Sequence, residues 1–190
     1  GATIGLGTKA VAGMAAGLRV NDFFQAAPDA VAQTMAPYAG QNLGAAKPER
    51  IRQGVKAAFI CGFVLSIVMV VIVLLWGRYL PVIFIKEQDA EVLEYAYRVL
   101  ISMVGSYIFL VVLNVLRFTL QGMGFTLLAI SSGVMEVIAR VVASLVLTPM
   151  FGFTGVQFAH PLAWLFGDLL LIPAFFICMN KVNKKIETKN

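Results

Sequence analysis

The stretch QNLGAAKPERI, residues 41–51, lies between two apolar segments and decides the fold of this chain. Basic residues crowd this stretch and its edge: Lys47, Arg50, Arg52 and Lys56. The segment 57–77 that follows carries no charged residue. Basic side chains in a short connection between apolar segments are typical of the cytoplasmic end of a helical hairpin in a bilayer. Pro48 suits the first turn of the second helix of that hairpin.

The composition excludes a soluble domain. Of 190 residues, 59% are hydrophobic, and the mean hydropathy is +0.85, whereas soluble domains are roughly half apolar. The sequence therefore predicts an all-α integral membrane protein that has the lipid bilayer as its surroundings. The net charge is +5, but the basic residues cluster at loop ends and in the C-terminal tail. Nucleic-acid binding needs a continuous basic face, so it is not expected here.

The sequence carries no convincing enzyme or cofactor motif. Cys61 and Cys178 have no neighbouring His or Cys at ligand spacing, so neither a disulfide frame nor a zinc site is expected. GLGTKA, residues 5–10, matches the dinucleotide fingerprint, yet no strand pattern precedes it and no parallel sheet follows. Walker loops, nucleophile elbows and paired-histidine metal motifs are absent from the sequence. We therefore expect a protein that is not an enzyme and that needs no cofactor or metal.

About twenty residues cross a bilayer, and this length divides the chain into five predicted transmembrane helices. They cover about 9–43, 48–76, 92–121, 125–147 and 156–179. Pro28 and Pro37 are placed to bend the first helix, and Gly122 with Gly124 breaks the chain after the third. The chain opens on Gly1 without an initiator Met or a charged leader, so we expect a piece of a longer protein.

The distribution of basic residues predicts the orientation in the membrane. Four basic residues belong to the first connection, and four more occur in the tail: Lys181, Lys184, Lys185 and Lys189. The two groups are four predicted crossings apart, so both fall on one side, which the positive-inside rule makes the cytoplasm. The loop after the second helix is then external, and its charges are mixed: Lys86, Glu87, Asp89 and Glu91. A multi-pass protein with a cytoplasmic C-terminus is predicted.

Polar side chains recur along one face of the first predicted helix. Asp22, Gln25, Asp29 and Gln33 are spaced by three and four residues, which places them in one stripe. Polar groups at membrane depth usually face a cavity or one another, so the stripe could form a wall of a substrate or ion pathway. The alternative is that Arg19 pairs with Asp22 one turn away and that Asp29 lies at a helix contact. The sequence leaves both interpretations open.

Five further polar residues lie in the later helices. Glu136 and Arg140 are four apart in the fourth helix, so we expect them to pair. Asn114 and Arg117 share a face of the third helix, and Arg117 is expected to snorkel or to bridge two halves of a larger protein. Asp168 has no basic residue within a turn, which makes it a candidate for the transport pathway, although a polar contact to another helix would also hold it.

Two amides close the first predicted helix. Gln41 and Asn42 could bind substrate, but capping the helix and fixing the hairpin is the favoured role.

Four stretches occur in an order that resembles a known transporter family. They are QNLGAAKPERI at 41–51, LQGMG at 120–124, GVMEVIAR at 133–140 and HPLAW at 160–164. Together they resemble the second half of a multidrug and toxic compound extrusion (MATE) transporter of the bacterial branch. The resemblance implies twelve helices in two six-helix lobes. This chain would supply the eighth to the twelfth helix, with residues 1–7 closing the seventh.

The resemblance implies a secondary active antiporter of the bacterial plasma membrane. Such a protein exports amphipathic or cationic organic compounds, as in multidrug efflux, in exchange for H⁺ or Na⁺, and it would need the missing N-terminal lobe. Transport would then need no cofactor besides the coupling ion, H⁺ or Na⁺. Two alternatives stay open: a flippase for lipid-linked saccharides, which would favour a cavity rich in Arg and Lys, and a half that only associates with other membrane proteins.

Overall fold

The computed structural model of the chain describes residues 7–83 and 89–188. This part of the chain forms α-helices, one short 3₁₀ helix and no strand, which confirms the all-α fold. The α-helices are α1 Thr8–Gln33, α2 Met35–Gly44, α3 Pro48–Trp76, α4 Ala90–Val104, α5 Tyr107–Gly122, α6 Thr126–Phe151 and α7 Phe153–Glu187. The 3₁₀ helix Leu80–Ile83 follows α3.

Three of the described helices are long and apolar enough to cross a membrane: α3, α6 and α7. The pair α4 and α5 would make a fourth span if it is counted as one helix with a bend of 60°. The predicted five spans are therefore not confirmed. The helix α1 falls outside this group because polar residues, Asp22 and Asp29 among them, lower its hydropathy.

The first predicted helix, 9–43, is divided in the structure at Thr34. Pro37 has no N–H, so it cannot donate to the carbonyl of Gln33 four residues earlier. The Thr34 hydroxyl donates to the carbonyl of Val31 at 2.7 Å, which adds a local bond at the break. Pro28 lies inside α1 and is buried there without ending the helix. Of the two prolines, only Pro37 lies close to the interruption.

The third predicted helix, 92–121, is two helices in the structure. They meet at Gly105 and Ser106 with a bend of 60°. The Ser106 amide donates to the carbonyl of Met103 at 2.9 Å, a tighter turn than the α-helix makes. Glycine destabilises a helix because it has no side chain to restrict its backbone, and the bend falls at Gly105.

The last two helices are longer than predicted. α6 passes the predicted end at 147 and Pro149 to reach Phe151, and α7 begins at Phe153 where 156 was predicted. Only Gly152 separates them, with φ 59 and ψ −131, in a backbone region that glycine tolerates best. The helix α3 covers the predicted range 48–76, and its first residue is Pro48. Each difference arises because a hydropathy pattern does not record how far helices extend beyond the bilayer.

The helix α5 lies at the centre of the bundle. It contacts α1, α2, α3, α6 and α7, and its apolar side chains Leu113, Val115 and Leu120 are almost fully buried. α4 packs mainly on α1. Gly17 of α1 allows this close approach, because a Cβ atom there would lie 2.8 Å from the carbonyl oxygen of Ala96.

Many of the charged residues lie near the two ends of the bundle. At one end, the connection after α2 and the tail of α7 border a shared groove that includes Gly44, Ala46 and Lys185. The structure therefore places these two basic regions at the same end of the bundle, while the cytoplasmic side remains a prediction. The predicted orientation also rested on Lys86, Glu87 and Lys189, which lie outside the described residues.

The opposite end is held by ion pairs. The Lys9 ammonium lies 2.9 Å from Asp89 Oδ2 and 2.9 Å from Glu91 Oε2. The hydrogen bond from Lys9 lowers the pKa of the Asp89 carboxyl below its usual range. Arg78 lies 3.4 Å from Glu94, which also pairs with Arg98 at 3.2 Å. These exposed pairs tie the start of α1 and the end of α3 to the start of α4.

The contact between α1 and α4 leads to a first prediction. Gly17→Ala should lower stability by about 2 kcal/mol, because the added methyl group meets the Ala96 carbonyl and Val99. Thermal unfolding of the purified protein in detergent measures the effect. Gly133→Ala is the matched control, since a Cβ atom there has no described neighbour within 4 Å. Equal melting temperatures for the two variants would contradict this packing.

Candidate functional site

A group of polar side chains from four helices meets inside the bundle. We call it the polar cluster, and its members are Asp29 of α1, Asn114 and Arg117 of α5, Ser132 and Glu136 of α6, and Asp168 of α7. Such residues are costly in an apolar interior unless they pair or serve a function. The partners of each residue therefore indicate which of them are paired and which are available for a function.

Arg117 is the centre of the polar cluster. Its Nη2 atom pairs with Glu136 Oε1, and its Nε donates to the Ser132 hydroxyl at 3.0 Å. Ser132 and Glu136 are four residues apart on α6, so both face α5 from adjacent turns. The Ser132 hydroxyl donates in turn to the carbonyl of Ala129 at 2.8 Å. One arginine therefore fixes two positions of α6 against α5.

This pairing corrects the expectation that Glu136 pairs with Arg140. Glu136 is buried between α5 and α7, and a Cβ atom added at Gly167 of α7 would lie 3.4 Å from Glu136 Cγ. Arg140, one turn further, is directed away, and its Nε atom is buried without a hydrogen-bond partner in the described part of the chain. Of the two expectations for Arg117, snorkelling is wrong because its guanidinium bonds inside the bundle, whereas the bridging of two halves stays a prediction. The reason is the rotation of α6 about its axis, which directs Glu136 toward Arg117 of α5.

Asp29 joins α1 to the polar cluster. Asn114 donates its Nδ2 hydrogen to Asp29 Oδ1 at 2.7 Å, which links α1 to α5. Arg117 follows Asn114 by three residues on α5, and its positive charge acts on Asp29 as well. The alternative that placed Asp29 at a helix contact thus describes its geometry, although such a contact does not exclude a part in transport.

Asp168 is the least compensated member of the polar cluster. Asp168 is only 3% exposed. Its Oδ1 atom has no hydrogen-bond partner among residues 7–83 and 89–188. The charge of Arg117 acts on it across the cluster. A carboxylate at membrane depth with an unused oxygen is suited to exchange a proton or to bind a cation.

The other three residues of the predicted stripe lie apart from the polar cluster. Asp22 and Gln33 are exposed on α1, and Gln25 is half-buried. The Arg19 to Asp22 pair, which was the alternative for this stripe, is absent from the salt bridges of the described residues. The structure thus splits the stripe, with Asp29 turned inward and Asp22 and Gln33 turned outward.

The two amides at the end of α2 have different surroundings. Asn42 is buried, and its Nδ2 atom donates to the carbonyl of Tyr38 at 2.8 Å, a structural role within the helix. Gln41 is exposed and lines a cavity of about 620 Å³ between α2 and α3, together with Gln53 and Cys61. The Gln41 side chain is therefore accessible to a ligand, whereas the Asn42 amide group is used in a hydrogen bond within the helix.

Two polar contacts were missed in the sequence. Ser132 precedes Glu136 by four residues, and this spacing could have marked it. Tyr107 donates its hydroxyl to Asn21 Oδ1 at 2.9 Å, and Asn21 is 3% exposed. Nothing in the spacing of those two residues signals the contact, because they are 86 positions apart.

Long apolar helices around a buried charged cluster are typical of a multi-pass membrane protein with a functional site at membrane depth. The sequence profile of the MatE family matches residues 2–150, so the chain belongs to the MatE family of membrane transporters. This confirms the predicted MATE family, while the assignment to its second half and to the bacterial branch stays a prediction. Comparison with curated proteins and with solved structures gives no significant match.

The ion pair at the centre of the cluster leads to a second prediction. Arg117→Met should lower the free energy of unfolding by about 3 kcal/mol, because Glu136 and Asp168 would be left without a nearby cation. Arg140→Met is the control, and it should cost much less because Arg140 forms no described ion pair. Denaturant or thermal unfolding in matched detergent measures both. An equal loss in the two variants would contradict the assigned pairing.

Proposed function

We propose that this chain is part of a secondary active antiporter that exports amphipathic or cationic organic compounds in exchange for H⁺ or Na⁺. It is a carrier and not an enzyme, it lies in the bacterial inner membrane with its C-terminus in the cytoplasm, and it works with an N-terminal lobe. Membership of the MatE family supports the transporter class. The buried Asp168 with its unused carboxylate oxygen is the observation that carries the exchange step.

The formal charge of the polar cluster favours cations. Asp29, Glu136 and Asp168 supply three carboxylates against the single guanidinium of Arg117, which leaves an excess of two negative charges when all are ionised. An isolated negative charge in a membrane interior is costly, so a bound proton, Na⁺ or organic cation would lower the energy of this site. A saccharide pyrophosphate would raise it, so the flippase alternative is not supported.

Competition for this excess charge gives an exchange mechanism. When a proton or metal cation occupies Asp168, the guanidinium of Arg117 is free to remain with Glu136 and Ser132. When no proton or metal cation is bound to Asp168, its carboxylate is charged and competes with Glu136 for the same guanidinium. Because these groups lie on α5, α6 and α7, the two states favour different packing of those helices, and an antiporter needs two such states.

The outward face of α1 supplies the other wall of the pathway. Asp22 and Gln33 are exposed there, and small exposed residues such as Ala26 and Ala30 lie between them. Phe23 on the same face is 71% exposed. Acidic, amide and aromatic groups on a smooth surface suit a large organic cation, since the ring face attracts positive charge. In this proposal the face looks toward the cavity shared with the N-terminal lobe.

An efflux assay tests the proposed function. The full-length gene is expressed in a drug-sensitive strain, and the initial rate of ethidium efflux is measured for the unmodified protein, Asp168→Asn and Glu187→Gln. Asp168→Asn should lower the rate at least about tenfold, because removing the exchange group costs more than ~1.4 kcal/mol in the transport step. Glu187→Gln removes one carboxylate from the exposed end of the same helix and should leave the rate unchanged.

Two results would contradict the proposal. One is a full efflux rate for Asp168→Asn at equal protein level in the membrane. The other is no efflux of any organic cation by the unmodified protein, which would favour the flippase or the non-transporting half. In a working assay, a rate that follows pH at constant Na⁺ assigns the coupling ion as H⁺, and a rate that follows Na⁺ at constant pH assigns Na⁺.

A further inference from the structure

A groove of about 560 Å³ lies at the end of the bundle where α2, the turn between α5 and α6, and the tail of α7 meet. Its wall is apolar, with Leu43, Met123 and Phe125 on one side and Val182 on α7. The lysines Lys181 and Lys185 also line it. An apolar groove with two cations at its rim matches a ligand that is itself amphiphilic and negatively charged.

The two lysines are arranged to act together. They are four residues apart, so they lie on the same face of α7 one turn from each other. Both are exposed, and neither takes part in a salt bridge of the residues that the structure covers. Their aliphatic stems can lie along the apolar wall while both ammonium groups stay at the rim. Two donors at this spacing can hold one phosphate group.

The length of α7 indicates how far this end of the bundle extends beyond the hydrocarbon core. The helix α7 has 35 residues and is about 52 Å long, well beyond the ~30 Å of the hydrocarbon core. Its last turns carry the lysines, while the α2 end, with Gly44, and the α6 start reach the same level. We therefore expect the groove to open at the boundary between membrane and water, where lipid headgroups lie.

We propose that this groove binds an anionic phospholipid. The phosphate contacts Lys181 and Lys185, and an acyl chain lies against Leu43, Met123 and Phe125. A free phosphate ion would use only the lysines and would leave the apolar wall exposed to water, so the shape of the groove favours the lipid. The bound lipid would join α2, the α5–α6 turn and α7, and would thereby brace this end of the bundle.

A lipid-exchange experiment with matched lysine variants tests this. The purified full chain is titrated in detergent with dioleoyl phosphatidylglycerol, and bound lipid is counted by native mass spectrometry. The same titration with dioleoyl phosphatidylcholine and with inorganic phosphate provides the source comparison. The double variant Lys181→Gln with Lys185→Gln should weaken phosphatidylglycerol binding on the order of 20-fold, since each lysine near an anionic lipid contributes about fivefold.

Lys184→Gln is the control, because Lys184 is exposed on the same helix but is not part of the groove wall. It should leave the affinity within about twofold of the unmodified chain, since it changes only the general charge of the tail. Equal weakening by Lys184→Gln would overturn the proposal in favour of nonspecific charge attraction. Equal binding of phosphatidylcholine, or inorganic phosphate that displaces the lipid at low millimolar concentration, would overturn it as well.

Discussion

The ion pair between Arg117 and Glu136 is the interaction on which the interior of this bundle depends. Either charge alone would be very costly among apolar helices, and the pair is acceptable because Ser132 satisfies a further guanidinium hydrogen. The pair sets the rotation of α6 against α5. The same helix α5 also contacts α1 through the cluster, because Asn114 donates a hydrogen bond to Asp29.

The same pair creates the property that supports transport. It uses the one guanidinium of the polar cluster, so Asp168 keeps a buried oxygen without a partner in the described part of the chain. Excess negative charge at membrane depth is a reason for a cation or proton to enter, and competition for Arg117 gives that entry a structural consequence. Family membership supplies the class of protein, and the cluster supplies a physical basis for the proposed exchange.

Much of the fold was predictable from the sequence, because hydropathy and the basic connection after residue 41 are local signals. They gave the all-α membrane class and the helix at 48–76, and the four motifs gave the family. The break at Thr34 was predicted only as a bend near Pro37, and the break at Gly105 was missed because a long apolar run hides it. The partner of Glu136 was wrong because spacing along one helix offers Arg140, whereas packing between helices offers Arg117. Asp168 was singled out because no partner was near in sequence.

A double-mutant cycle between α5 and α6 tests this account most directly. The free energy of unfolding is measured in detergent for Arg117→Gln, Glu136→Gln, the double variant and the unmodified chain, with a parallel cycle for Arg140→Gln and Glu136→Gln. The account predicts a coupling energy of about 1 to 3 kcal/mol for Arg117 with Glu136, and close to zero for Arg140 with Glu136. The larger coupling in the Arg140 cycle would contradict it.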